Sequence, residues 1–278
     1  MRFYDRLKIK RVIIYGLHSE DWHLALNPNS KVWQLLPSVG KVLVVEGIPE
    51  CLPKRKFYFK DYVIPLLESH IRATPDSRTS LKPSLEVLEK FENKKKLNDL
   101  LIELSLSQYQ PTHYSEKTIN NYPVILKRTD LNAAKGMKII FTRDELVDSL
   151  LQDMWRDKEI IIQEFIENKS EFACHAVYKD GIRLWETTIK YFKSDTLVLI
   201  GYETKIMSTH IESNLDALKV LDQIMFETKY SGPCNMDYSY QSSDLKIFEI
   251  NPRLGGSLMK TENVKFLAEA LKAIIKSA

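Results

Sequence analysis

One segment near the carboxyl end of the chain restricts its fold most, because it combines strand periodicity with charge. This segment reads Lys246-Ile-Phe-Glu-Ile-Asn-Pro-Arg253. Side chains in a strand alternate between the two faces of a sheet, so Glu249 and Asn251 share one face while Phe248 and Ile250 share the other. The segment therefore predicts a strand with one polar and one apolar face.

The run before this segment predicts its partner strand. Asn235 to Tyr240 also has strand composition, and a three-residue loop centred on Ser243 makes the two runs a hairpin. In that register Asp237 lies directly opposite Glu249. Two carboxylates that face each other across paired strands destabilise the sheet unless something neutralises them.

A hard divalent cation is one way to neutralise this pair. Asp237, Glu249 and the amide oxygen of Asn251 are the kind of ligands that Mg²⁺ takes, and Arg253 follows where it could balance phosphate charge. The alternative is a solvated face on which the acids repel each other weakly, or an ion pair of one acid with Lys246. The hairpin alone leaves both interpretations open.

The rest of the chain predicts an α+β protein, with an α/β N-terminal part. Short apolar runs without alternation are typical of buried parallel strands, and they occupy Arg11 to Gly16, Lys41 to Glu46 and Tyr62 to Pro65. Period-3.6 patterns predict helices over 84–104, 144–155, 211–228 and 264–275. Further strands are expected over 124–126, 138–141, 159–163, 172–178 and 182–188. The sheets are expected to be mixed, with helices on one face.

Two segments in the middle of the chain have features of a nucleotide site. Lys127 ends an apolar strand, where it is either a point charge for a phosphate or a solvated strand terminus. The small, polar loop from Arg128 to Gly136, which includes Lys135, could donate backbone N–H groups to phosphates.

The second of these segments is a strand that leads into a polar and then aromatic linker. Gln163 and Glu164 are followed by Phe165 and Ile166, and Glu171 comes five residues later. Such an edge suits a planar base, with the acid on ribose hydroxyls. By default, however, Phe165 and Ile166 are simply core residues.

Composition excludes several classes of protein. The chain has 278 residues and a net charge of +3, which is too small by itself to indicate nucleic-acid binding. A hydrophobic content of 44% argues against disorder, and no apolar run approaches the roughly 18 residues of a membrane span. The three cysteines are too few and scattered for a disulfide framework or a zinc site. With no secretory signal visible, we expect a cytoplasmic protein without membrane or nucleic-acid partners.

Taken in order, these motifs resemble the ATP-grasp superfamily over roughly residues 93–257. The order is strand-Lys, small-residue loop, helix, strand-Gln-Glu-Phe-Ile, Glu, and then Asp followed by Glu-x-Asn-Pro-Arg. The most specific part, Glu249 to Ser257, is similar to the carbamoyl-phosphate-synthase-like and L-amino-acid-ligase-like branches. Two departures are the loop Ala133-Ala134-Lys135-Gly136, which is poor in glycine, and a longer segment between Ile166 and Glu171.

The resemblance implies an ATP-grasp fold in which two mixed α+β subdomains clamp the nucleotide. The N-terminal parallel-sheet domain would occupy residues 1–85 and the ATP-grasp domain 86–278. Within the latter, the lid subdomain would cover about 112–166 and the catalytic subdomain about 167–278. The divergent N-terminal domain hides the identity of the substrate, since this region commonly helps to bind it.

The resemblance also implies a role for each matching residue. The nucleotide would be held by Lys94, Lys127, Lys135, Gly136, Gln163, Glu164, Phe165, Ile166 and Glu171. One or two Mg²⁺ ions, with Mn²⁺ as an alternative, would be held by Asp237, Glu249 and Asn251. Arg253 and Asn235 would serve the reaction, and Gly255, Gly256 and Ser257 would admit the acceptor. Apart from the resemblance, Lys205 on a strand opposite the loop could reach the γ-phosphate or the substrate carboxylate and so serve the reaction. Lys95 and Lys96 compete with Lys94 for its role, Lys190 competes with Lys205, and Lys205 could also be an exposed strand residue.

The family chemistry implies an ATP-dependent ligase. A carboxylate would attack the γ-phosphate, and an amine would then displace phosphate from the acyl phosphate. The alternatives are a phosphotransferase of the same fold and a nucleotide-binding regulatory protein without turnover. The expected partners are a small-molecule carboxylate and an amine, and a homodimer is left open.

Overall fold

The computed structural model describes residues 9–16, 19–129, 131, 136–197, 199, 207–211 and 214–278. The strands of these residues are β1 (Ile9–Tyr15), β2 (Val39–Val45), β3 (Phe59–Pro65), β4 (His113–Tyr114), β5 (Val124–Arg128), β6 (Met137–Ile140), β7 (Ile160–Glu164), β8 (Ser170–Lys179), β9 (Ile182–Phe192), β10 (Met207–Ile211), β11 (Gly232–Gln241) and β12 (Asp244–Asn251). The helices are α1 (Glu20–Leu26), α2 (Lys31–Gln34), α3 (Glu68–Ala73), α4 (Leu85–Glu92), α5 (Lys94–Glu103), α6 (Arg143–Leu150), α7 (Leu215–Glu227) and α8 (Val264–Ser277).

The N-terminal strands form a three-stranded parallel sheet in the order β2-β1-β3, as the apolar runs predict. Both faces are covered: Ile13 and Val63 belong to one core, while Val12 and Ile14 belong to another. The second core also contains apolar residues of α8, among them Leu271. Residues of the expected N-terminal domain therefore share a core with the last helix of the chain.

A second, antiparallel sheet has the order β4-β7-β5-β6 and packs against α6. Val124 and Leu126 of β5 point into its core together with Leu146 of α6 and Trp155. The next residue of β5, Lys127, therefore points to the opposite face of the sheet. This alternation aims a lysine away from the helix and towards the third sheet.

The third sheet is antiparallel, in the order β10-β9-β8-β11-β12. Cys174 and Met236 lie on its apolar face with the helical core of α4, α5 and α7. The opposite face carries Glu171, His175 and Asp237, because directly paired residues share a face. The fold is thus α+β, as expected, and its polar third sheet faces the second sheet.

Adjacent Cys174 and His175 point to opposite faces of β8 and therefore form no dyad with each other. Cys174 is fully buried as a small core residue, and burial raises the pKa of its thiol to about 12. His175 points to the other face and contacts Ser257.

The expected helical segment over 84–104, which the lysine run Lys94-Lys95-Lys96 interrupts, is two helices that meet at Asn93. Asn93 is extended (φ −105°, ψ 117°) and its side chain accepts hydrogen bonds from Lys95 N and Lys96 N at the start of α5. An Asn with this geometry ends one helix and caps the next. The break turns the lysine run into the first turn of α5.

Two other helices are shorter than expected. The predicted helix 211–228 begins at Leu215, since Asn214 caps α7 and Ile211 pairs with Thr188 at the end of β10. The predicted helix 144–155 ends at Leu150, where the Arg156 guanidinium donates to the carbonyl of Leu151. Strand β10 and helices α1 to α3 were not predicted. Within the described ranges, no helix combines the length and apolar character needed to cross a membrane.

Candidate active site

The β11–β12 hairpin brings the two predicted carboxylates together, but with a different turn. Gln241 pairs with Asp244, so the loop has two residues, with Ser242 in the left-handed region (φ 58°). The three-residue loop centred on Ser243 was therefore wrong. A register shift at Phe248 restores the predicted pairing of Asp237 with Glu249.

The same bulge moves Phe248 into the site. The Lys127 Nζ lies 5.6 Å from the centroid of the Phe248 ring, and Lys127 also interacts electrostatically with Glu249. Simple alternation had assigned Phe248 to the face opposite Glu249, which is wrong because a bulge interrupts alternation. No feature of the sequence marks the bulge, so this residue was missed.

Two amides hold the facing carboxylates. Asn235 Nδ2 donates to Asp237 Oδ1 (2.9 Å), whereas Asn251 Nδ2 donates to Glu249 Oε1 (2.9 Å) and lies 3.5 Å from Asp237 Oδ2. Burial, together with the charge of Glu249, raises the pKa of Asp237 well above its ordinary value. The pair therefore has more negative charge than its surroundings readily hold.

Two lysines face this pair. Lys94 Nζ lies 4.0 Å from Glu249 Oε2 and donates to the carbonyl of Leu131 (3.2 Å). Burial opposes ionisation of Glu249, but Lys94, the Asn251 amide and Lys127 hold its pKa below the ordinary value. The site thus places two cations against a carboxylate that stays ionised.

Lys94 is the member of the lysine run that enters the cleft. Lys95 contacts Glu159 at 4.0 Å and Lys96 contacts Glu89 at 3.3 Å, and both side chains are more than half exposed. The Asn93 cap sets this arrangement by fixing which lysine begins the helix.

Lys127 lies in an environment that strongly disfavours its charge. It is 4% exposed on β5, and burial lowers its pKa to about 8, although Glu249 opposes this shift. A buried lysine that faces carboxylates is a candidate for contact with an anionic ligand. The alternative of a solvated strand terminus is wrong.

The predicted base-binding linker follows β7. Phe165 and Ile166 are buried, while Gln163 bonds to the His113 ring (Nε2···Nε2 2.7 Å) and leaves its buried Oε1 without a partner. Glu164 Oε2 accepts from both the N–H and the hydroxyl of Thr112. The Glu164 side chain therefore ties β7 to the linker before β4.

Glu171 has a partner that the sequence did not reveal. Its Oε1 lies 3.4 Å from Lys193 Nζ, and the Lys193 side chain is 1% exposed and within 5.8 Å of the Phe165 ring centroid. Burial raises the pKa of Glu171 even though Lys193 opposes the shift. Lys193 was missed because it follows β9, far along the chain from the linker.

Arg253 points towards the N-terminal sheet. Its Nε lies 2.9 Å from Glu68 Oε1 at the start of α3, and its guanidinium lies 5.9 Å from the centroid of the Trp22 ring. A cleft of about 260 Å³ joins Glu68, Lys94, Glu249 and Thr129. Residues of all three sheets or their flanking helices therefore border one space.

Of the remaining predicted residues, the structure describes Gly136 and Lys190. Gly136 (φ 70°) accepts a hydrogen bond from Arg128 N at 2.8 Å, which closes the base of the predicted loop. Lys135 and Lys205 lie outside the described residues. Lys190 contacts the Phe172 ring on the face opposite Glu171, so it does not enter this site.

Comparison with known proteins identifies the architecture. No family model matches the chain. Over 164 residues, 56% of this chain, it is 27% identical to the human mitochondrial carbamoyl-phosphate synthase (ammonia). The matched segment is 11% of that relative's length.

Solved structures agree over nearly the whole chain. Phosphoribosylamine–glycine ligase from Thermotoga maritima superposes with a TM-score of 0.70 at 16% identity, over 96% of this chain and 76% of that one. D-alanine–D-alanine ligase from Bacillus anthracis, complexed with ATP, gives 0.63 at 14% identity over 97% and 96%. The chain has the ATP-grasp fold of the carboxylate–amine ligases. The sequence match to a carbamoyl-phosphate synthase also agrees with the branch that Glu249 to Ser257 resembles.

The segment after Arg253 is packed against the third sheet. A Cβ on Gly255 would lie 2.6 Å from His175 Nδ1 and 2.8 Å from Asn235 Oδ1, and closer still to His175 Cε1. His175 Nε2 lies 2.6 Å from Ser257 Oγ. Gly255 is thus needed for close approach of the segment to the sheet.

A metal ion at this site would depend on few protein ligands. The described residues contain no cluster of three His, Cys, Asp or Glu side chains, and the candidate set is Asp237, Glu249 and Asn251. Mg²⁺ commonly takes one or two carboxylates and completes its shell with substrate phosphates and water. Two half-buried, facing carboxylates with an amide fit such an ion.

Proposed function

We propose that this chain is an ATP-dependent ligase that activates a carboxylate as an acyl phosphate and joins it to an amine. The observation that carries the proposal is the pairing of Asp237 with Glu249 across the cleft from Lys94 and Lys127. This set suits the polyphosphate of ATP, because it offers cations for phosphate oxygens and carboxylates for a bridging ion. The ATP-grasp fold supports the same reaction class.

The nucleotide would lie between the second and third sheets. Its phosphates would meet Lys94 and Lys127, and its base would lie along the linker from Gln163 to Ile166. The free Gln163 Oε1 and the ring of Phe248 give this space a polar edge and an apolar wall. Glu171 would meet the ribose, with Lys193 fixing its position.

Asp237, Glu249 and Asn251 would hold Mg²⁺, with Mn²⁺ as the alternative ion. When bound, the ion neutralises phosphate charge that would otherwise repel the carboxylate nucleophile. The Asn251 side-chain amide points its Nδ2 at both acids. To bind the ion, the amide would rotate so that its oxygen faces the ion instead. Asn235 would keep Asp237 in place through its 2.9 Å hydrogen bond.

The remaining residues would act by position and charge. Lys94 and Lys127 would stabilise the negative charge that spreads over the transferring phosphoryl group. Arg253 would leave Glu68 to contact the phosphate or acyl phosphate, since its ion pair lies at the edge of the same cleft. An acyl phosphate reacts with water, so closure of the loop that ends at Gly136 would protect it.

The experiment measures ADP release from Mg²⁺-ATP with pooled carboxylic acids, with and without pooled amines that include hydroxylamine. Glu249→Gln tests the metal ligand, and Glu227→Gln is the matched control, because Glu227 is exposed at the end of α7. We expect release to need both pools in the wild type and the control, and to fall by at least about a hundred-fold in Glu249→Gln.

Other results would redirect the proposal. Release with acids alone, and a stable phosphorylated product, would indicate a phosphotransferase. Tight ATP binding without release in any pool would indicate a nucleotide-binding protein without turnover.

A further inference from the structure

A lysine lies on the polar face of the third sheet, beyond the residues proposed for ATP. Glu171 on β8 pairs with Tyr191 on β9, which pairs with Ser208 on β10, so these three residues share one face. Lys260 reaches the last two of these residues: its Nζ lies 3.1 Å from Ser208 Oγ and 5.5 Å from the centroid of the Tyr191 ring.

Among the residues that the structure describes, Lys260 has no carboxylate as a counter-charge. Across the described ranges no carboxylate lies within 4.0 Å of its Nζ, whereas Lys94, Lys193 and Arg253 each have one. Lys260 is half-buried, and a cation removed from water without a partner is costly. An anionic group that arrives with a ligand would supply the missing charge.

Next to Lys260, the Tyr191 hydroxyl is a second hydrogen-bond donor, and Ser257 and His175 hold its surroundings in place. The Tyr191 hydroxyl forms a hydrogen bond with Ser257 and interacts electrostatically with Asp237 and Glu171. Burial raises the pKa of Tyr191 to about 12, so the hydroxyl stays protonated. Ser257 is fixed from below by His175 at 2.6 Å, and burial lowers the pKa of His175 to about 3, so this ring stays neutral.

The position of Lys260 separates it from the reacting carboxylate. Strands in a sheet are about 4.8 Å apart, so β9 and β10 lie roughly 10 Å and 14 Å from β11, which carries Asp237. Lys260 Nζ lies beside Ser208 on β10, so a group bound there is separated from Asp237 by more than the span of one carboxylate.

We infer that Lys260 and the Tyr191 hydroxyl bind a second anionic group of the acid substrate, so that the preferred acids carry two anionic groups. This inference rests on the proposed ligase function. The second group is a carboxylate or a phosphonate-like oxyanion, and the first is the carboxylate that is phosphorylated. Each donor would contribute a charged or charge-assisted hydrogen bond to the oxyanion.

Matched acids test the inference. Glutarate is compared with pentanoate, adipate with hexanoate, and 4-phosphonobutanoate with pentanoate, each with Mg²⁺-ATP and the amine pool. We expect the doubly anionic acid of a pair to have a kcat/KM about ten- to a hundred-fold higher, the range of a charged hydrogen bond. The glutarate and phosphonobutanoate arms distinguish carboxylate from phosphonate recognition.

Lys260→Met should abolish this preference while leaving the KM for ATP and the slow rate with monoanionic acids unchanged. Lys265→Met is the control, because Lys265 is exposed on α8 only five residues away. Tyr191→Phe should reduce the preference without removing it. Unchanged nucleotide binding and melting temperature show that each variant is folded. If Lys260→Met does not fold, the ratio of the wild-type kcat/KM values for doubly and singly anionic acids tests whether a second anionic group is preferred.

Three results would overturn the inference: equal kcat/KM for the two acids of every pair, a preference that survives Lys260→Met, or a rise in the KM for ATP that is the same with all acids. If no acid of either kind supports ADP release in the wild type, the proposed ligase function fails together with the inference. Ligase activity without a charge preference leaves the function intact and removes only the role of Lys260.

Discussion

Replacing Gly255 by alanine tests how tightly the segment after Arg253 is packed. The backbone of Gly255 is extended (φ −91°, ψ 150°), a conformation that alanine adopts freely, so the substitution adds a steric effect and no backbone strain. The added Cβ would lie 2.6 Å from His175 Nδ1 and 2.8 Å from Asn235 Oδ1. Favourable contacts of a carbon atom lie near 3.5–4.0 Å, so these neighbours would have to move by roughly 1 Å.

The neighbours cannot move easily, which sets the magnitude. His175 is 1% exposed and Asn235 is 5% exposed, and their hydrogen bonds hold Ser257 and Asp237. Overpacking of this kind costs about 1–3 kcal/mol, or roughly 2–12 °C of melting temperature for a chain of this size. Gly256→Ala is the matched control, because its Cβ would meet Trp22 Nε1 at an ordinary 3.8 Å.

The assay is thermal unfolding of Gly255→Ala, His175→Ala, the double variant and Gly256→Ala. We expect Gly256→Ala to change stability by less than about 0.5 kcal/mol. Removing the ring should relieve the clash, so the double variant should show a coupling of at least about 1 kcal/mol. Equal losses in the two glycine variants, or additive effects in the cycle, would refute the packing argument.

Three further substitutions test the nucleotide and metal sites. Lys94→Met should weaken ATP binding about ten- to a hundred-fold, measured by fluorescent-nucleotide titration. Lys95→Met, which removes an exposed lysine, should change ATP binding less than two-fold. Similar losses in the two variants would contradict the proposal that Lys94 contacts the phosphates. Because the pKa of Lys127 is about 8 and its protonated form binds phosphate, ATP affinity should fall as pH rises above 8, and Lys127→Arg should lose this pH dependence; a wild-type affinity that is flat from pH 7 to 9 would argue against the contact. Asp237→Asn in EDTA should raise the melting temperature, since it removes one of two facing, half-buried carboxylates, and it should abolish binding of Mg²⁺. A lower melting temperature would contradict the repulsion.

The sequence was informative where one local pattern decides the structure. The alternation of Glu249 and Asn251 was enough to predict a hairpin, but the pairing of Asp237 with Glu249 was correct only because the missed bulge at Phe248 offsets the wrong loop length. Apolar runs were likewise enough to predict the buried parallel sheet. In the parallel sheet neighbouring residues carry the whole signal, because each apolar run is buried on both faces of the sheet.

The sequence was uninformative where distant segments meet. Lys193 reaches Glu171 only because β8 and β9 pair along their length, and Arg253 meets Glu68 across some 185 residues. The bulge at Phe248 exchanges one pairing register for another, which composition does not mark. The Asn93 cap has a local signal, but a strong helical period on both sides masks it.

The most direct test of the account follows oxygen atoms through the reaction. An acid that supports ADP release is labelled with ¹⁸O in its carboxylate and incubated with Mg²⁺-ATP and its amine, and the phosphate released is measured by mass spectrometry. Formation of an acyl phosphate transfers one carboxylate oxygen to phosphate, so the account predicts one ¹⁸O in each phosphate released. Phosphate without label, formed together with product, would contradict activation of the carboxylate by ATP at this site.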